Sequence, residues 1–287
     1  MNIKYQNFRY FHSLRVRWAE VDMQKIVFNS HYLMYIDTAM SSYWREMALP
    51  YQTTLAEYSG DLYVKKSTLE YHASANMDEL LSIGLKCERF GNSSILFIVG
   101  IFRSQQLLVS GEIIYVFADP KTQSSKPVPL ELKKVFVDFE KGLPMVNIHV
   151  TTWDKAETVI TELLDTVFVK EQGIDRSIIF DSFHRNSVQV YATNLIGYVV
   201  STGRLLPTNN GIGKIERIAV SQVLRGSGLG KQILGTLITA AKSRGDHQVL
   251  LNAGISAVGF YKKLGFNDDG TSFTEAGFEH ISMSMSI

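Results

Sequence analysis

Along residues 32–47 apolar and aromatic side chains recur with a helical period. Tyr32, Tyr35, Ile36, Ala39, Met40, Tyr43, Trp44 and Met47 fall at i, i+3, i+4, i+7, i+8, i+11, i+12 and i+15, one continuous stripe down a long helix. Asn29 or Ser30 stands in position to cap it. The stripe is unusually aromatic for a surface helix and is expected to be buried in the concave side of a sheet. β-rich runs flank it: Ser13 to Glu20 before, then Tyr63 to Ala75, Leu80 to Phe90, Ser94 to Arg103 and Gln106 to Ala118. One long helix followed by several antiparallel strands implies a sheet wrapped around that helix.

The second half has a different rhythm. A β-branched segment, Ile215 to Val220, runs into Leu224-Arg225-Gly226-Ser227-Gly228-Leu229-Gly230-Lys231. After it Leu229, Ile233, Leu234, Leu237, Ile238 and Ala241 recur at helical spacing, with Lys231, Lys242 and Arg244 on the polar side. Between the two halves Asp119-Pro120 ends a strand. Pro127 and Pro129 introduce a short helix through Phe139, and Gly142-Leu143-Pro144 breaks the chain before a strand beginning near Val146. The expected organisation is α+β in two domains, residues 1–144 and 145–287.

Charge narrows the range of partners. The chain has 29 Lys and Arg against 28 Asp and Glu. The balance holds in both halves, so neither carries the basic surface of a nucleic-acid binder. A single cysteine, Cys87, excludes an intrachain disulfide and reads as a buried thiol. No structural metal site is expected. The start, Met1 to Gln6, lacks an apolar signal core, and no run of 18 apolar residues is present to span a bilayer. The expected location is the cytoplasm.

The run Arg225-Gly226-Ser227-Gly228-Leu229-Gly230, between a strand and a helix, has the chemistry of an anion cradle. Backbone N–H groups unobstructed by Cβ atoms converge where the helix dipole is positive. The Lys-Ser/Thr pair of a nucleotide-hydrolysing P-loop is missing, and so is a dinucleotide fingerprint. Together with Glu216-Arg217-Ile218-Ala219-Val220 before it and Gly259-Phe260-Tyr261-Lys262-Lys263-Leu264-Gly265-Phe266 after it, the run resembles the acetyl-CoA-binding core of GCN5-related N-acetyltransferases. The resemblance runs from about Asn147 to the C-terminus. Val167 to Gln172 and the tail Glu279-His280-Ile281-Ser282-Met283 resemble the small bacterial ElaA-type branch.

That resemblance implies a mixed α/β GNAT domain with acetyl-CoA as co-substrate. Amides around Ile218, Ala219 and Val220 would polarise the acetyl carbonyl, and the turn Arg225, Gly226, Ser227, Gly228, Leu229, Gly230 would hold the pyrophosphate. Tyr261 would protonate the departing CoA thiolate, a phenol near pKa 10 suiting a thiolate of comparable basicity. Glu216 would accept a proton from the incoming ammonium, directly or through water. His280 is a candidate for the acceptor site. Gly254 stands where many relatives carry an amide that contacts CoA.

The first half resembles hotdog-fold acyl-CoA thioesterases of the 4-hydroxybenzoyl-CoA thioesterase type. The residues are Arg17 through Leu33, with Tyr35, Asp37, Tyr43-Trp44-Arg45, Asp78-Glu79-Leu80 and Gly91-Asn92-Ser93-Ser94. The resemblance covers about residues 8–140. It implies that Asp22 is the catalytic carboxylate, activating a water or attacking the thioester carbonyl itself. An N–H near Phe28 to Ser30 would polarise the carbonyl oxygen. Lys25 stands where relatives usually have glycine, a substitution that bears on any requirement for positive φ. Asn29, His31, Ser93 and Ser94 are further candidates for the thioester pocket. Hotdog relatives bury a sheet edge against a second subunit, so a homodimer or homotetramer through this domain is implied.

Three functions fit these residues. In the first, the protein is bifunctional: one half hydrolyses an acyl-CoA and the other transfers acetyl from acetyl-CoA to an amine. In the second, the acetyltransferase-like half only senses acetyl-CoA. In the third, a degenerate hotdog half only dimerises an acetyltransferase.

Overall fold

A computed structural model describes residues 3–208 and 210–287, with the side chain of Asp269 also outside the description; Met1 and Asn2 of the polar start lie outside it. The chain divides into two units, which meet between Met145 and Val146.

In the first unit the elements are β1 (Tyr10–Arg15), α1 (His31–Glu46), α2 (Tyr51–Glu57), β2 (Asp61–Tyr71), β3 (Leu80–Phe90), β4 (Ser94–Arg103), β5 (Gln106–Ala118) and α3 (Leu130–Glu140). The five strands form an antiparallel sheet in the order β1-β3-β4-β5-β2. All eight residues of the aromatic stripe are buried. Tyr43 meets the rings of Tyr10, Phe97 and Phe139 edge-on, and the Tyr10 hydroxyl donates to the carbonyl of Ala39. The sheet therefore curls around α1 because a wide aromatic stripe needs apolar partners on β1, β4 and α3 at once. On the other face Phe8 lies so close to β3 and β4 that a Cβ at Gly84 would stand 2.6 Å from its ring. Glycine is the residue that admits this contact.

Two expected strands end elsewhere. Ser13 to Glu20 is not one strand: β1 stops at Arg15 and Trp18–Glu20 is a 3-10 turn. The Glu20 carboxylate accepts the Arg17 N–H at 2.8 Å and the Arg17 Nε at 2.6 Å, which bends the chain. Tyr63 to Ala75 begins at Asp61 and ends at Tyr71, where His72 and Ala73 both donate to the Leu108 carbonyl. Ser30 holds the N-cap position of α1 but makes no side-chain capping bond.

The second unit contains β6 (Val146–Thr152), α4 (Trp153–Leu164), a π-helical turn Asp165–Glu171, α5 (Arg176–Ile179), β7 (Val188–Asn194), β8 (Val199–Pro207), β9 (Ile212–Val220), α6 (Leu229–Arg244), β10 (Gln248–Gly254), α7 (Val258–Lys262), β11 (Asn267–Glu275) and β12 (Phe278–Ser286). Its seven strands are ordered β11-β12-β10-β9-β8-β7-β6. Leu229, Ile233, Leu234, Leu237 and Ala241 of α6 are buried, and Ile238 is partly exposed. A Cβ on Gly203 in β8 would stand 2.9 Å from Leu237 and 3.0 Å from Ile233, so glycine lets α6 settle onto the sheet there.

Two irregularities in this sheet make a cavity. β9 and β10 are its parallel pair, and they pair only from Ile212–Lys214 against Gln248–Leu250. β10 continues beside β12 to Gly254, and β9 beside β8 to Val220. Beyond Lys214 and Leu250 the two strands part like a wedge. At the same level β9 bulges: Thr202 faces Ala219 and Arg204 faces Glu216, so Arg217 and Ile218 together oppose Gly203. Arg217 has φ +54°, left-handed backbone at a non-glycine residue.

Candidate active sites

The wedge in the second unit opens into a cavity of about 650 Å³, whose walls include Glu216, Arg217, Ile218, Asn252, Tyr261 and His280. The bulge removes Ile218 from regular pairing and brings it to this wall. Ala219 and Val220 pair with Thr202 and Ser201 and stay off it. Of the three residues whose amides are expected to polarise a carbonyl, Ile218 is the one on the wall.

Tyr261 projects from α7 onto the same wall, and burial pushes its phenol up to about 12. It is a weaker acid than the ordinary phenol the sequence suggested, and it stays protonated as a hydrogen-bond donor at neutral pH.

Glu216 is held differently from expectation. Its Oε2 accepts from Arg204 Nη2 at 2.6 Å, and its Oε1 meets Lys214 Nζ at 2.6 Å. Burial disfavours the charge, but the bonds from Lys214 and Arg204 outweigh it and bring the carboxyl below its usual range. With both oxygens engaged and its basicity reduced, Glu216 is a poor direct proton acceptor. His280 is better arranged. Its Nδ1 lies 3.0 Å from the Phe278 carbonyl, which can only accept, so Nδ1 carries a proton and Nε2 is the nitrogen with the lone pair in the neutral ring. That Nε2 lies 4.0 Å from where a Gly254 side chain would begin, so the missing amide side chain leaves space beside the imidazole.

Behind the wedge lies a charge network that sequence reasoning missed. Arg204 on β8 is 1% exposed. It donates to both oxygens of Asp181, at 2.7 Å each, as well as to Glu216. Arg217 donates to the Ile178 carbonyl at 2.6 Å and reaches Asp181 at 3.3 Å. Burial raises Asp181, but the Arg204 bonds and charge prevail and hold it below the usual carboxylate range. His184, stacked on Trp153, is pushed down to about 4 by burial and by Arg204, and its neutral ring donates to the Ile179 carbonyl. The available signal was Arg204 itself, the one charged residue between Val199 and Leu206, because a buried charge requires partners.

The glycine-rich turn lies outside the cavity wall. Gly226 and Gly228 have φ of +86° and +87°, and Gly228 is the left-handed N-cap of α6. The first bond into this helix runs from Gln232 to Gly228, so the amides of Leu229, Gly230 and Lys231 point out of its first turn. Ser227 donates from both its N–H and its hydroxyl to Leu224. Arg225 is ion-paired with Glu171 and donates to the Val220 carbonyl, so its expected grip on a phosphate requires the Glu171 pair to open.

In the first unit Asp22 sits at the mouth of a cavity of about 690 Å³, with Phe28, Asn29, Tyr32, Tyr71 and His72 also on its walls. A tight turn holds it. Its N–H donates to Ile26, its carbonyl accepts from Lys25, and its Oδ1 accepts the Gln24 N–H at 2.7 Å. Lys25, exposed, has φ +64°, so the position does require left-handed backbone and lysine adopts it. The N–H of Phe28 donates to the Glu20 carbonyl, which removes it from the expected oxyanion donors. The amides of Asn29 and Ser30 have no partner among the described residues. His31 turns toward Met34, away from this cavity, and Ser93 and Ser94, at the β3–β4 turn, are not on its walls.

Glu20, also unforeseen, is buried beneath the turn. Desolvation opposes its charge, but bonds from Arg17 and from the Tyr35 hydroxyl lower it below its usual range. Cys87 is buried, its thiol pushed up by desolvation. Among the described residues no helix is long and apolar enough to cross a membrane, and no cluster of three or more metal-ligating side chains occurs.

Residues 16–136 match a thioesterase-like superfamily and residues 156–287 an acetyltransferase (GNAT) domain. The chain is 35% identical over 122 residues to the uncharacterised N-acetyltransferase YjcF of Bacillus subtilis, covering 42% of this chain and 84% of that protein. It is 24% identical over 129 residues to the acyl-CoA thioester hydrolase YbgC of Escherichia coli, covering 45% of this chain and 93% of that protein. The crystal structure of Escherichia coli ElaA is similar at 22% identity and a TM-score of 0.45, covering 50% of this chain and all of that one.

Proposed function

From a chain that belongs to the thioesterase-like hotdog superfamily in its first half and to the GNAT acetyltransferases in its second, we propose a bifunctional CoA-thioester enzyme. The observation that carries the reading is that each unit opens a cavity beside its own candidate chemistry, Asp22 in one and Tyr261 with Ile218 in the other.

At the hotdog site Asp22 takes a proton from water. The resulting hydroxide adds to the thioester carbonyl, the amides of Asn29 and Ser30 receive the developing oxyanion, and the C–S bond breaks to release the acid and CoA thiolate. An eleven-residue edge strand, β2, leaves Tyr63, Val64 and Tyr71 exposed. Such an edge calls for a partner, and a second copy of this unit, in a homodimer or homotetramer, supplies it.

At the GNAT site the acetyl carbonyl oxygen points to the Ile218 amide and the pyrophosphate lies on the Arg225–Gly230 turn. The amine nitrogen attacks the acetyl carbon and loses its proton to His280 Nε2. The C–S bond then breaks, and the thiolate takes the Tyr261 proton. The desolvation that raises the phenol raises a thiolate in the same cavity, which keeps the two close in basicity. The experiment is CoA release by the full chain from short, long and aromatic acyl-CoAs without amine, wild type against Asp22→Asn. Release that the substitution abolishes supports hydrolysis; no release from any member removes it.

A further inference from the structure

Arg204, Lys214 and Arg217 stand beside Asp181 and Glu216, and the charge of Glu275 also reaches Arg217. Arg204 takes both oxygens of Asp181 and one of Glu216, and Lys214 takes the other. Arg217, whose one ion pair among the described residues is the 3.3 Å contact with Asp181, stands on the cavity wall.

The Arg217 guanidinium is also under-used. Nη2 serves Ile178 and Asp181, Nε is buried without a hydrogen-bond partner, and Nη1 bonds to no other described residue. Burial, and then Arg204, disfavour its charge. A left-handed backbone at a bulky residue is retained only where its surroundings enforce it, and the residue so held lines the wedge. The cavity is lined as well by Glu275 of β11 and by Glu279 and His280 of β12. It thus offers both a guanidinium short of acceptors and carboxylates. The complement is a molecule with an anion at one end and an ammonium at the other.

We propose that Arg217 is a specificity-determining residue that binds a carboxylate on the acetyl acceptor, so that the acceptor is a small amine carrying a carboxylate, its amino group toward Glu275, Glu279 and His280. This rests on the acetyl-transfer reading above and narrows its substrate class.

The test compares matched pairs differing only at the carboxylate: amino acids of different chain length against their own amides. Two quantities are read on the full-length protein. One is kcat/KM for acetyl transfer from acetyl-CoA, expressed per free-base amine; the other is affinity for the CoA-loaded protein by calorimetry. Wild type is expected to favour the acid over its amide by about tenfold to a hundredfold in both, the range for a hydrogen bond to a charged group. In Arg217→Gln the ratio should fall close to one, and Arg217→Lys should restore part of it. Amides serving as well as acids in wild type, or a preference that survives Arg217→Gln, overturns the inference. If acetyl-CoA binds and no amine is acetylated, the transfer reading fails, yet the calorimetric pairs still decide the role of Arg217. Binding of no carboxylate-bearing amine then overturns it as well.

Discussion

Arg204→Met removes the cation from the buried network while keeping a long, unbranched apolar side chain in its place. The guanidinium is 1% exposed and holds Asp181 at 2.7 Å and Glu216 at 2.6 Å. Deleting one partner of a buried pair typically costs about 3–5 kcal/mol, because the other charge is left uncompensated. Lys214 remains 2.6 Å from Glu216 and Arg217 3.3 Å from Asp181, which places the loss at about 3 kcal/mol, the low end of that range. Hydrogen exchange at peptides from β8 and β9 reads this unit separately from residues 3–145. Protection there should fall about a hundredfold at pH 7. The pH dependence has a definite sign. Asp181 and Glu216 both have folded pKa values below their unfolded ones. Their contribution is therefore complete above the unfolded carboxylate range near pH ~4 and is lost as pH falls through the folded values. The gap between wild type and Arg204→Met should accordingly narrow from pH 7 toward pH ~3. A loss at pH 7 below about 1 kcal/mol, well under the cost of an uncompensated buried charge, or a gap equally wide at both pH values, refutes the argument.

Three further outcomes follow from named residues. Lys25→Gly relieves left-handed strain of about 1–2 kcal/mol, offset by about 0.5–1 kcal/mol of glycine chain entropy, so urea unfolding should show the first unit more stable by up to about 1 kcal/mol; a loss of stability would contradict that reading. His280→Asn should lower kcat for acetyl transfer about a hundredfold with little change in the KM for acetyl-CoA; an unchanged kcat excludes His280 as the proton acceptor. Val64→Lys places a charge on the exposed edge of β2 and should halve or quarter the mass measured by light scattering, whereas an unaltered mass moves the interface elsewhere.

What could be read from the chain was what local pattern controls. The stripe from Tyr32 to Met47 is buried throughout, and the glycine turn after β9 does open a helix with two left-handed glycines. What escaped depends on partners distant in sequence. Ser13 to Glu20 looks extended, yet the Glu20 carboxylate captures Arg17 and curls the chain. The Arg225 side chain pairs with Glu171, 54 residues away, a contact no local pattern announces. Glu216 reads as a base until Arg204 and Lys214 take its oxygens. Nothing in the composition of β10 reveals that it stays with β9 for only three residues, and that parting makes the wedge.

The central claim is that two CoA-thioester chemistries occupy separate sites. It is tested most directly by measuring both activities, acyl-CoA hydrolysis without amine and acetyl transfer to an amine, in full-length Asp22→Asn and Tyr261→Phe proteins. Separate sites give a crossed result: Asp22→Asn loses hydrolysis by at least about a hundredfold and keeps transfer, while Tyr261→Phe loses transfer and keeps hydrolysis. Both activities falling together in either variant, or neither falling in both, would contradict it.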